Sequence, residues 1–417
     1  MVMISELATV LTDFQSVRLS DMVSQEQSIG LLIKGMVKAE AVMAGKTSDR
    51  EIEKIRKRIQ VKFNHFALSP EAIGQRYMAL WPENYDNEEN FQIAENGSYV
   101  KYKTTFPMYE DLAERHTNPE GADLDARMSL YRAVAEKHVR LLYDRKKTAK
   151  PDRIVHVTST GYIEPNPVDI VLSENRWFDV HVTNFYNRAC NAPISAIRTA
   201  NALLRSSFLG GCEKAVGRVD ILQSELFSIH MKIADDQAVN IGLMTSYSDS
   251  FIRYSLISHD AAMASGKPCL KILWFSHMMI PDSSRIAVWT VSNPAFDYQV
   301  DPLKYLRKIR EHVRDFITGL FRDADMDYSK EKDRLLFVIQ APSPLILKQI
   351  GKQLELSAEQ MQFSLKMLYE NGYLSSGAIP FMCMKIIDSS QIPKGTKILC
   401  IGHALGLTIS GMLLEKA

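Results

Sequence analysis

Strand and helix signals alternate along this chain, and near residue 247 the alternation begins again. In the first stretch, helices are expected over 21–44, 47–66 and 122–146, and β-branched runs predict strands over 154–159, 178–185 and 219–225. In the second, strands are expected at 252–257, 269–277, 285–290, 334–339 and 397–401, with helices at 302–323, 343–353 and 357–371. Two successive α/β patterns predict a duplicated five-layer α-β-α-β-α architecture rather than one doubly wound sheet. At 417 residues the chain is also too long for one simple core. The expected halves are 1–246 and 247–417. Residues 84–105 are polar and irregular and read as an exposed excursion.

Composition excludes several classes of function. The formal net charge of +1 gives no support for a nucleic-acid partner or an anionic membrane surface. No run of about 18 apolar residues occurs, so no membrane span is expected. The first residues, Met1-Val2-Met3-Ile4-Ser5-Glu6-Leu7, have neither a basic region nor a long apolar core, and no signal peptide is expected. The five cysteines, at 190, 212, 269, 383 and 400, include no close pair. That argues against a disulfide framework or a zinc site, and for a reducing, cytoplasmic setting. No glycine-rich phosphate loop is present.

One cysteine stands out by its context. Phe178 to Phe185 reads as a strand, followed by a tight turn carrying Cys190. Ile194, Ile197, Leu203 and Leu204 then recur at roughly helical spacing. Cys190 is thereby placed at a helix N-terminus, where the helix dipole and Arg188 favour the thiolate and make the sulfur a nucleophile. The same pattern also suits a buried structural cysteine.

Several short segments can be read beside Cys190 in chain order. They are Gln75-Arg76-Tyr77-Met78, Asp123-Leu124-Asp125-Ala126-Arg127, the strand and turn from His156 to Asp169, Trp274 to Ser283, and Gly402-His403-Ala404-Leu405-Gly406-Leu407-Thr408. Together they resemble the thiolase superfamily, specifically the chalcone-synthase-like (type III) polyketide synthases and the ketoacyl synthase III enzymes. The resemblance runs from about residue 50 to the end and implies a thiolase-like fold and a dimer. It also implies chemistry on an acyl-CoA or acyl-carrier-protein thioester, with no permanently bound cofactor.

In that family a cysteine accepts the acyl group, a histidine and an asparagine stabilise the enolate left by decarboxylation, and backbone N–H groups form an oxyanion hole. The resemblance puts Cys190 at the cysteine and the backbone of Cys190 and Ala404 at the oxyanion hole. It puts Gln340 where the histidine would be and Tyr373 where the asparagine would be. Tyr247-Ser248-Asp249-Ser250-Phe251 stands where the family reads F-G-D-G-A, and His403-Ala404 replaces Phe-Gly in the closing loop. Glutamine can donate a hydrogen bond but cannot carry a proton. The tyrosine ring would fill space near the sulfur. Losing a well-placed donor in such a site costs about 10²–10³ in rate. The substitutions therefore count against standard decarboxylative condensation more than against acyl transfer, which needs only the thiolate and backbone donors.

His403 and His277 are candidate replacement bases, and each reads equally as a hydrogen-bonded structural histidine. Gln340 and Tyr373 read either as working donors or as packing residues. Glu225 is read as structural, because the family often has a glutamate near its dimer contact. Asp235-Asp236 and the charged run Arg50 to Arg58 read as solvated, and Met278-Met279 as core filler or acyl-tunnel lining. The expected function is an acyltransferase or condensing enzyme of polyketide, fatty-acid-derived or other natural-product biosynthesis. The alternative is a catalytically deficient subunit that stabilises an active ketosynthase partner. Expected partners are a small-molecule acyl thioester, an acyl carrier protein, and a second ketosynthase-like chain in a homodimer or heterodimer.

Overall fold

The computed structural model describes residues 8–19, 22–79, 119–186, 188–206 and 215–417, together with two short paired strands at 91–93 and 99–101. The first series of elements is β1 (Thr9–Val17), β2 (Met22–Ser24), α1 (Gln25–Met43), α2 (Asp49–Phe66), β3 (Gln75–Tyr77), β4 (Phe91–Ile93), β5 (Tyr99–Lys101), α3 (Leu124–Leu142), β6 (Arg153–Thr158), α4 (Pro167–Glu174), β7 (His181–Tyr186), α5 (Ala192–Ser206), β8 (Arg218–Glu225), α6 (Ala238–Ser246), β9 (Ser250–Ser258) and α7 (His259–Ala264). The second is β10 (Leu270–Met279), β11 (Ala287–Thr290), β12 (Asp297–Val300), α8 (Pro302–Asp323), α9 (Tyr328–Glu331), β13 (Leu336–Ile339), α10 (Pro344–Leu354), α11 (Gln362–Asn371), α12 (Ala378–Asp388), β14 (Lys397–Ala404) and β15 (Thr408–Lys416).

Strand pairing shows the duplication. In the first series β1 lies antiparallel to β9, β9 antiparallel to β8, and β8 parallel to β6, with β7 parallel to β6 at the edge. In the second, β10 lies antiparallel to β15, β15 antiparallel to β14, and β14 parallel to β13. The same succession of directions is used twice. The two series join where Val10 and Leu11 pair with Lys271 and Leu270. Although β9 follows residue 247, it pairs within the first series. The sheets therefore divide between Ser258 and Leu270 rather than at 246/247.

Alternating strand residues feed three apolar cores and so separate five layers. On β6, Ile154 faces the outer helices with Tyr131 and Val134 of α3, while Val155 faces the middle. On β13, Val338 faces the middle, while Phe337 faces Ile317 of α8 and Ile350 of α10. The middle layer is α5 and α12, with Ile194, Ile197, Ile379 and Met382 enclosed by both sheets.

Most expected elements are present, and α8 spans the residues anticipated for it. The helix expected at 357–371 begins only at Gln362. The excursion expected at 84–105 lies outside the described residues apart from β4 and β5. Of the elements not anticipated, which include β1, α4, α6, α7 and β12, α12 and β15 are almost wholly buried. An element with no solvent face carries little periodic contrast to read.

β15 also explains Gly411. A Cβ there would collide with Leu320 Cδ1 and lie 3.1 Å from Phe316 Cε1, both on α8. Gly411→Ala is expected to lower unfolding free energy by about 1–3 kcal/mol through overpacking. Urea denaturation checks this, and an unchanged midpoint would contradict the tight β15–α8 contact.

Candidate active site

Cys190 sits in a single 3₁₀ turn, Ala189–Asn191, that leads into α5. The turn packs against β14, β15 and the short turn Ser375–Gly377. This places the residue where the middle layer meets both sheets, with 8 % of its surface exposed. Its Sγ lies 3.4 Å from Ser375 Oγ and 4.0 Å from Tyr247 Oη, and Tyr373 stands beside them in ring contact with Tyr247. Ser375 has φ 50°, a conformation costly for a residue other than glycine.

Burial pushes the Cys190 thiol above its ordinary range. The hydroxyls of Ser375, Tyr373 and Tyr247 offset part of the rise, and the nearby Glu225 adds to it. This corrects the expectation of a thiolate favoured by the helix dipole and Arg188. Arg188 is exposed, and desolvation of the sulfur outweighs the favourable field.

Gln340 and Tyr373 meet beside the sulfur. Gln340 Nε2 donates to Tyr373 Oη and, at 3.5 Å, to the carbonyl of His403. Tyr373 and Tyr247 lie on adjacent backbone segments: Ser248 N donates to Tyr373 O at 3.0 Å and Tyr373 N to Ser246 O at 2.8 Å. Their ring centres are 4.9 Å apart. Burial drives both phenols well above their usual range, so they are neutral donors rather than bases. From Tyr247 an aromatic wall continues to Phe227, 4.1 Å away between ring centres, and on to Trp289.

The histidines do not join them directly. His403 lies on the face of β14 opposite Gly402, with Nδ1 2.5 Å from Tyr305 Oη of α8. Burial lowers its pKa to about 4, and its Nε2 has no hydrogen-bond partner among the described residues. Its link to the site is its carbonyl, not its ring. His277, exposed on β10, places Nδ1 2.8 Å from Ser410 Oγ of β15. Ala404 closes the β14–β15 hairpin opposite Thr408.

Glu225 and Ser375 are the residues that motif reading undervalued. Glu225 is fully buried and accepts from Ser159 N at 2.9 Å, Thr160 Oγ1 at 3.1 Å and Ser376 Oγ at 2.6 Å. It therefore holds the residue next to Ser375. Nothing in the local pattern around Ser375 announces contact with a sulfur 185 positions away. Asp236, read as solvated, instead pairs with Arg58 at 2.7 Å and Lys62 at 2.6 Å and pins α2. Met278 packs in the outer core, and Met279 is exposed. Among the described residues, no group of three His, Cys, Asp or Glu side chains is placed to hold a metal ion, and no helix is long and apolar enough to cross a membrane.

Comparisons with known proteins agree with this architecture. Residues 328–416 match the family described as 3-oxoacyl-[acyl-carrier-protein] synthase III, C terminal. The chain is similar over 98 % of its length to 99 % of the C-terminal type III polyketide synthase domain of Steely1, a type I/III hybrid from Dictyostelium, with 15 % identity and a TM-score of 0.72. It is also similar over 99 % of both chains to PKS-I from the brown alga Ectocarpus siliculosus, with 15 % identity and a TM-score of 0.74. No curated protein matches it by sequence. The fold is the thiolase fold, in the form that type III polyketide synthases take.

Burial raises the Glu225 carboxyl to about 7, against an ordinary value of 4.5. The folded chain then holds a proton that the unfolded chain releases between those values, so this group's contribution to stability falls as pH rises through the window. Glu225→Gln is expected to flatten the stability profile between pH 4.5 and 7 relative to the unsubstituted protein. Denaturant titrations across that range check it, and parallel profiles would show that the Glu225 carboxyl titrates alike in the folded and unfolded chain.

Proposed function

We propose that the protein is an acyltransferase of the ketosynthase kind, in which Cys190 takes an acyl group from a CoA or carrier-protein thioester. One observation carries this reading: a buried sulfur at the head of helix α5, met by the hydroxyls of Ser375 and Tyr247. In the transfer, a bond forms from Sγ to the acyl carbon and the donor's carbon–sulfur bond breaks. The thiol proton ends on the departing thiol. Backbone N–H groups of Cys190 and Ala404 would receive the developing oxyanion. Because the free thiol is pushed up, the step should accelerate with pH through the neutral range.

Gln340 and Tyr373 supply neutral donors and no proton acceptor matched to neutral pH, so decarboxylative carbon–carbon bond formation is not part of this reading. The proposal extends to natural-product or fatty-acid-derived acyl groups, a cytoplasmic setting, no resident cofactor, and pairing with a second ketosynthase-like chain. A carrier protein is one source of the donor. A second reading, a catalytically deficient subunit supporting an active partner, is favoured by one contact. The Gln340 amide is engaged with Tyr373 rather than left open to a substrate.

Incubation with acyl-CoA of several chain lengths, followed by intact-mass measurement, tests the proposal. The expected result is one acyl adduct, absent in Cys190→Ala and formed about tenfold more slowly in Ser375→Ala, which removes one hydrogen bond to the sulfur. No adduct at any chain length, with a stable complex formed with a Cys-His-Asn ketosynthase, would overturn it in favour of the subunit reading.

A further inference from the structure

We propose that His277 is a positioning residue for Cys190, acting through a directed hydrogen-bond chain that crosses the molecule by way of Ser410, Asn191, Gln340 and Tyr373. The inference rests on Cys190 being the working nucleophile and deepens that reading.

Three of the five links are in place, and the proposal supplies the other two. His277 Nδ1 is 2.8 Å from Ser410 Oγ, and Ser410 Oγ is 2.7 Å from the Asn191 amide. Asn191 directly follows the nucleophile. At the other end, Gln340 Nε2 donates to Tyr373 Oη, which leaves the Tyr373 proton free, and the proposal directs that proton to the Cys190 sulfur.

Besides the last step from Tyr373 to the sulfur, the link to be supplied lies between two amides. Asn191 Oδ1 and Gln340 Oε1 are both buried and have no hydrogen-bond partner among the described residues. Both face the space beside Gly402, where a Cβ would lie 2.8 Å from the first oxygen and 3.2 Å from the second. Two buried acceptors that share one space are costly, and each lost hydrogen bond is a full desolvation penalty. Exchanging the ends of the Asn191 amide, whose two groups are nearly equal in size, removes the conflict. Its oxygen then accepts from the hydroxyls of Ser410 and Thr408, which already approach at 2.7 and 3.2 Å, and its nitrogen donates to Gln340 Oε1.

The completed chain has a single direction. His277 Nδ1–H donates to Ser410, Ser410 to Asn191, Asn191 to Gln340, Gln340 to Tyr373, and Tyr373 to Cys190 Sγ. Donors aligned this way polarise one another and favour negative charge at the last acceptor, the sulfur. His277 stands at the solvent end, so its protonation strengthens the whole series. Partial burial lowers its pKa first, and the cations Arg198 of α5 and Arg188 oppose protonation further. The imidazole is thus neutral at neutral pH and titrates on the acid side.

Alkylation of Cys190 by iodoacetamide, followed peptide by peptide in the full chain across pH, reads the thiol without any acyl substrate. Relative to the unsubstituted protein, His277→Ala and Ser410→Ala should move the Cys190 midpoint upward by about 0.5 in pH, the effect of losing one modest hydrogen bond. His277→Gln, which keeps a donor but cannot titrate, should restore the midpoint and abolish the acid-side inflection. Gly402→Ala, which puts a methyl group between the two amides, should resemble Ser410→Ala. Identical profiles in all folded variants would overturn the proposal, and so would a Cys190 that no reagent reaches at any pH. An acyl adduct with coincident midpoints removes the chain alone, whereas shifted midpoints without an adduct remove the acyl-transfer reading alone.

Discussion

Enclosure of α5 and α12 between two sheets sets the terms for everything near Cys190. The end of α5 that carries Cys190 is buried, so polar groups there cannot rely on water and each must find a partner within the protein. The turn that begins α5 therefore carries a concentrated set of internal contacts: Ser375 on the sulfur, Thr408 and Ser410 on Asn191, and Gly402 close against the same amide. The same enclosure desolvates the sulfur and raises its pKa, so burial and nucleophilicity oppose each other here. Only directed hydrogen bonds can recover part of the loss, and the hydroxyls of Ser375, Tyr373 and Tyr247 supply them.

The site is built from neutral donors. Tyr247, Tyr298, Tyr305 and Tyr373 are all driven toward their protonated forms by burial, and their mutual proximity and the nearby thiol reinforce this. A histidine in place of Gln340 could alternate between acid and base. Glutamine cannot, but it can accept at one end and donate at the other. That bidirectional capacity lets Gln340 continue a hydrogen-bond series, which no doubly protonated imidazole could do.

How much of this the chain announced depends on where a residue's partners lie. Amphipathic elements such as α8 were legible because their apolar stripe faces one core and their charges face water. The strand, turn and helix around Cys190 were legible for a similar reason. The almost wholly buried α12 and β15 gave little contrast to read. The orientation of His403 was hidden because one residue of strand register decides whether a side chain faces the sulfur or α8. Ser375 and Glu225 were obscure for a different reason: their roles arise from contacts across the fold, with no local pattern to mark them.

Gly402 shows how these levels connect. In sequence it is one glycine in a closing loop, open to being read only as a flexible hinge. In the structure its missing side chain is the space that two buried amides share. Its neighbour His403, pointing the other way, packs against Tyr305 and offers only a carbonyl to Gln340. Strand alternation thus sends the titratable ring into the outer core and reserves the inner face for groups that cannot titrate. A base at position 403 would need the opposite register, which would also drive a side chain into Asn191. The geometry that admits the amides beside Cys190 is therefore the geometry that keeps this histidine ring away from it.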